Sequence, residues 1–340
     1  MRSIINIKRR KSDALSDNES TPRTPKLGLK GESECWCGDP ECRRAVEPDR
    51  GGAFRFELVA LASLVVLFAF LLSRGIVEPR ELYSAWFMPL LGIVAATIAM
   101  STPAGGGVVF FPTMVLLGIP PYQAAAFSVG AQSVGMGIFG TFNWIKRDRS
   151  AILKPAVVAT ALVGGAATLL SLFVFPIAQA RPLQLTFSFF GLGLAIYIFY
   201  GLGHGLDKET LPFRLGPRMI VALAVVALLG GLLVGYIGVG IDALLFLVLT
   251  SFFKIDSHEA TVTSILTMGF AAMVPFAVHL LVLRDVPINL WLMVLPGILL
   301  GARLGPWLNQ ALGRRRILVG FSILLLVEFV MTFTKLVILR

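Results

Sequence analysis

Charged side chains are scarce in this sequence: they make up 15% of its 340 residues, against 56% hydrophobic ones. A soluble domain of that length carries far more polar surface, so the composition excludes one. The mean hydropathy of +0.80 agrees. Polar–apolar alternation is missing from the apolar stretches, which excludes a membrane β-barrel. Histidine occurs three times, never before His204. The apolar stretches hold no histidine cluster, no paired carboxylates and no nucleophile beside a base, so an enzyme is not expected. A leader is lacking as well. The first 50 residues are polar and the first apolar stretch begins near Phe54, which predicts no cleavable signal peptide.

What is present is a series of apolar segments, several exceeding the roughly 18 residues that span hydrocarbon. One covers 54–73 and has no counterpart. A first set lies at 86–101, 105–118, 122–144, 151–175 and 183–203. A second lies at 219–237, 240–253, 259–283, 288–308 and 316–336. The expected organisation is a tail at 1–50, an extra span at 54–73, a first transport repeat at 86–203, a linker at 204–218 and a second repeat at 219–336. The tail is rich in Ser, Thr, Pro, Lys, Asp and Glu, a composition that predicts disorder.

The formal charge of +10 does not signal nucleic acid. Its basic residues fall mostly in short connections, where they set orientation. With the tail in the cytoplasm, three basic groups fall on the same side: Lys146, Arg147 and Arg149; Lys208, Arg214 and Arg218; and Arg314, Arg315 and Arg316. On the opposite side Arg74 and Arg80 are balanced by Glu78 and Glu81, and Arg284 adjoins Asp285. Lys335 and Arg340 would lie outside, against the trend. An odd number of segments per half then points the halves in opposite directions. The fold expected is an all-α polytopic membrane protein. It has two inverted repeats of about five segments each, with glycine-broken re-entrant or half helices, plus one extra N-terminal span.

The two halves carry a shared pattern. Gly105, Gly106 and Gly107 open an apolar run that ends near Ile119, with Ala124 and Ser128 beyond. Gly238 and Gly240 open another that ends near Ile255, with Ala260 and Ser264 beyond. One inserted residue reconciles the spacings. The runs 105–118 and 240–253 are short for a span at 1.5 Å per residue. Pro112, Ala124 and Ser128 after the glycines, and Gly301, Ala302, Arg303 and Leu304 late in the second half, resemble motifs of the TauE/SafE sulfite and organosulfonate exporters. The resemblance covers about 86–336. It implies a multi-pass carrier in the plasma membrane for a small, often sulfur-containing anion. Thr102 and Pro103, and Ile241 and Asp242, depart from the family pattern, which more often has glycine or small residues there.

Glycine in mid-membrane leaves backbone N–H groups that lipid cannot satisfy. Those donors and the positive end of a half-helix suit an anion, and glycine lets it approach the backbone. Close helix packing through small residues is the competing reading. The candidate substrate contacts are Gly105, Gly106, Gly107, Ser128, Gln132, Gly238, Gly240, Ser264 and Arg303. The hydroxyls could instead bond their own helix, as Ser133, Thr263 and Thr267 could. Arg303 could clamp an oxyanion in a bidentate fork or snorkel to the interface. Asp242 and Glu328 are the candidates for a coupling H+ or Na+. A helix-capping role for Asp242 is the alternative. Glu328 would face Arg303 or a cavity. His258 and His279 lie near segment ends.

Cys35, Cys37 and Cys42 are the only cysteines. They could share a metal, although the paired Cys-x-x-Cys spacing of zinc sites is absent, or stay reduced. No cofactor is required. The expected function is alternating-access transport of a small anion, a sulfite, sulfonate or carboxylate, in a lipid bilayer. A membrane sensor or scaffold with a metal- or redox-responsive cysteine tail is the alternative.

Overall fold

The computed structural model describes residues 50–75, 79–103, 105–174, 180–203, 211–312 and 314–334. Expectations for Cys35, Cys37, Cys42, Lys208, Lys335 and Arg340 fall outside them. The chain is an all-α polytopic membrane protein, and no strand occurs among the described residues. Five helices are long and apolar enough to cross a membrane, and four shorter apolar helices accompany them, among the described residues.

Helix α1 (Arg50–Ser73) is the extra N-terminal element, and it exposes Val59, Val65, Val66 and Phe70. A short helix, α2 (Pro79–Ser84), lies in the connection that follows; no segment was expected there. Then come α3 (Met88–Ser101), α4 (Gly107–Leu116) and α5 (Pro121–Val134). A π-helical stretch (Gly135–Gly140) joins α5 to α6 (Thr141–Arg147). After it run α7 (Lys154–Val174) and α8 (Ala180–Gly203). The second series is α9 (Pro217–Ile237), α10 (Ile241–Ser251), α11 (Ser257–Val278), α12 (Ile288–Leu312) and α13 (Arg314–Phe333).

The apolar runs end where these helices end, to within a few residues, because run length and helix length are set by the same hydrocarbon thickness. Two segments differ. The run 259–283 is α11 followed by a second π-helical stretch (His279–Leu283), and the run 122–144 is α5, the first π stretch and α6 in succession. A π turn widens the backbone where Gly137 meets Gly269 of α11 with no side chain between them.

Packing across the two series is reciprocal. Helix α3 pairs with α12 and α7 with α9; α5 pairs with α11 and α8 with α13. Small residues make the closest crossings. Gly297, Gly301 and Gly305 of α12 stand against the α3 backbone at Pro89, Ile93 and Thr97. Gly231 of α9 stands against the Gly164 carbonyl of α7.

Candidate functional site

Two helices of the fold are interrupted. Helix α3 stops at Ser101 and Thr102 turns extended; Gly105, at φ 62°, then lets the chain turn into α4. Helix α9 stops at Ile237, and Gly238 at φ 71° and Gly240 at φ 153° lead into α10. A Cβ is strained at such angles, so glycine is required. The resumed helices have 10 and 11 residues, about half a membrane thickness.

The two breaks touch. A Cβ on Gly107 would stand 2.6 Å from the Gly238 carbonyl oxygen and 3.1 Å from Ser128 Oγ. Gln132 on α5 bonds the second: its Nε2 donates to the Gly238 carbonyl at 2.6 Å and to the Ser128 carbonyl of its own helix at 3.1 Å, and lies 3.3 Å from Ser128 Oγ. Ser128 and Gln132 are buried. Their spacing of four puts them on one face of α5, the face turned to the junction.

Asp242, in the first turn of α10, is fully buried. Its Oδ1 accepts from the Ala243 N–H at 3.0 Å and the Gly240 N–H at 3.3 Å, as a capping carboxylate does. Its Oδ2 and Gln132 Oε1 have no hydrogen-bond partner, and both approach Gly105. Thr102 Oγ1, beside the same break, is also buried and unpartnered. It went unremarked as a site residue, although a hydroxyl next to Pro103 at a helix end was a visible signal. Gly106 caps α4 and packs on Phe110, while Gly240 packs on Leu233 and the Gly230 carbonyl.

Other candidates lie apart from these contacts. Ser264 Oγ donates to the Ala260 carbonyl of its own helix at 2.7 Å, and Ser133 and Thr267 bond their own helices too. Thr263 Oγ1 accepts from the Leu153 N–H at 3.1 Å. Arg303 is not brought to the breaks: its side chain is 58% exposed and pairs with Glu57 of α1 at 2.5 Å. Glu328 does not face Arg303. Its Oε1 accepts from Ser188 Oγ at 3.0 Å and Thr332 Oγ1 at 2.8 Å, and it borders a cavity of about 740 Å³ between α4, α8 and α13. Val108, Phe111, Phe187 and Leu324 also line that cavity. Among the described residues no three His, Cys, Asp or Glu side chains could hold a metal ion together.

Ion pairs mark both ends of α11. His258 Nε2 lies 3.0 Å from Asp148 Oδ2, joining its first turn to the connection after α6. Partial burial works to raise the Asp148 pKa, but hydrogen bonds from Ser150 and His258 and the charge of His258 hold it below the ordinary value. At the far end, His279 Nδ1 lies 2.9 Å from Asp285 Oδ1. Both histidines had been noted only as lying near segment ends; their partners are set by tertiary contact and turn geometry.

A family model described as sulfite exporter TauE/SafE matches residues 88–331, which span both breaks. The chain belongs to the TauE/SafE family. No curated protein and no solved structure matches it. TauE/SafE membership makes it a multi-pass membrane protein of a family of sulfite exporters, a transporter family and not one of enzymes. The matched region begins at α3, so α1 stands outside it. Within the TauE/SafE motif at 301–304, Gly301 and Ala302 pack inward and Arg303 points outward.

Proposed function

We propose that the chain moves a small sulfur oxyanion, sulfite or an organosulfonate, or a carboxylate, across the cell membrane by alternating access. The contact between the two breaks carries this reading: Gly107 of the first packs on the Gly238 carbonyl of the second, and Gln132 of α5 bonds that same carbonyl. The reciprocal pairing of α3 with α12 and α7 with α9 fits two inverted halves.

Gly105, Gly106, Gly107, Ser128, Gln132, Gly238 and Gly240 would meet the anion when the breaks part. The first-turn N–H groups of α4 and α10 would face it, each helix start worth about half a positive charge. Asp242 would carry the coupling ion. With the basic connections on the cytoplasmic side, the N-terminus would lie in the cytoplasm. The purified protein in liposomes loaded with radiolabelled sulfite should release it faster than protein-free liposomes. Release no faster than in empty liposomes, for sulfite, sulfonates and carboxylates alike, with folded protein, would end this reading.

A further inference from the structure

The orientation of the Gln132 amide follows from its neighbours. Nε2 faces the Gly238 and Ser128 carbonyl oxygens, at 2.6 and 3.1 Å, so it must be the donor end. Turning the amide over would set Oε1 against both carbonyls. Oε1 therefore points the other way, toward Gly105. A Cβ on Gly105 would stand 2.6 Å from Oε1 and would overlap Asp242 Oδ2 as well. Two buried oxygen acceptors thus flank the space that a side chain on Gly105 would fill, and neither has a donor.

An ionised Asp242 would set the charged Oδ2 against the lone pairs of Oε1 across the same buried space, a repulsion. One hydrogen on Oδ2 converts that repulsion into a hydrogen bond. No cation takes this place among the described residues: Asp242 is in none of their ion pairs, and no other charged group faces it from α5, α9, α10 or the breaks. An alkali ion would need a cage of several oxygens. Only two unpartnered oxygens, Asp242 Oδ2 and Gln132 Oε1, are found beside Gly105 among the described residues.

We infer that Asp242 is a proton-binding site: its neutral carboxyl donates from Oδ2 to Gln132 Oε1, and this one proton closes the contact between the two broken helices. The inference rests on the reading of that contact as the transport site and adds what controls it. Loss of the proton loosens the contact, and the breaks can then part.

The test is infrared difference spectroscopy on the purified protein, which needs no transport. At neutral pH the wild type should show a protonated-carboxyl C=O band that Asp242→Asn lacks and that shifts in Gln132→Leu, where the acceptor is gone. The thermal midpoint of the wild type should fall by about 2–4 °C as pH rises and Asp242 ionises, while that of Asp242→Asn, whose amide N–H keeps the hydrogen bond, stays level. A wild-type spectrum with only the carboxylate band for Asp242 at neutral pH overturns the inference. If Asp242→Asn does not fold, the band shift in Gln132→Leu decides: an unshifted carboxyl band also overturns it. Sulfite release with no such carboxyl band sinks this inference and spares the transport reading; the band without release does the reverse.

Discussion

Gln132 Nε2 donates to the Gly238 carbonyl oxygen at 2.6 Å, from one series of helices to the other across 106 residues of chain. The bond satisfies a carbonyl that an intact helix would have used, at the point where α9 ends. It links α5 of the first series to the break of the second, and the first variants should be made there.

Replacing Gln132 with leucine keeps the volume and removes the donor. The Gly238 carbonyl then stays buried without this partner, a cost of about 1–3 kcal/mol. A lower thermal midpoint in detergent and slower sulfite release are expected together. Unchanged values for both would mean that the bond does not hold the contact.

Gly107→Ala should be severe for a different reason. The added methyl would meet the Gly238 carbonyl at 2.6 Å, and that atom is backbone and cannot swing aside. Overpacking of this kind costs about 1–3 kcal/mol. Gly193→Ala on α8 is the control: nothing lies within 4 Å of its new methyl, and alanine in a helix gains up to about 1 kcal/mol. Equal behaviour of the two variants in thermal unfolding would contradict the close approach of the breaks.

The Asp148–His258 pair gives a pH dependence of definite sign. The folded state holds Asp148 below its ordinary range, so the stability from this pair is present above about pH 4 and is lost as pH falls through the folded value. In Asp148→Asn that acid-side loss should shrink, and the neutral-pH penalty should be about 1 kcal/mol or less for a partly exposed pair. Unfolding curves over an acid pH series would show it; identical acid limbs for variant and wild type would refute it.

Arg303→Ala separates two roles. A residue that clamps the anion would lose nearly all sulfite release when truncated. The observed pairing with Glu57 on α1 predicts release within about twofold of wild type, since an exposed ion pair contributes little. A tenfold drop in release with intact folding would return Arg303 to the site.

Much of the fold was legible because the hydrocarbon core dictates length. The apolar runs at 151–175 and 219–237 became α7 and α9 nearly to the residue, and glycines at 105 and 238 marked the breaks. The π stretch at Gly135–Gly140 was not legible, because it accompanies a crossing with Gly269 that local sequence does not record. Gln132 and Ser128 could be placed on one face by their spacing, yet the carbonyl they meet lies in the other series. Arg303 was ambiguous for the same reason: its partner, Glu57, sits on a helix outside the repeated pattern. Asp242 could be read as a cap or as a carrier of charge. The geometry gives Oδ1 to the N–H groups of the helix start and leaves Oδ2 unpartnered beside Gly105.

The glycines of α12 have a mechanical consequence. Where Gly297, Gly301 and Gly305 meet Pro89, Ile93 and Thr97, main chain lies on main chain over successive turns, without a compliant layer of side chains. Such a seam resists sliding and twisting, so α3 and α12 travel as one stiff strut. Any large displacement in this molecule must be taken up elsewhere, along joints cushioned by longer side chains such as those beside the α8–α13 pair.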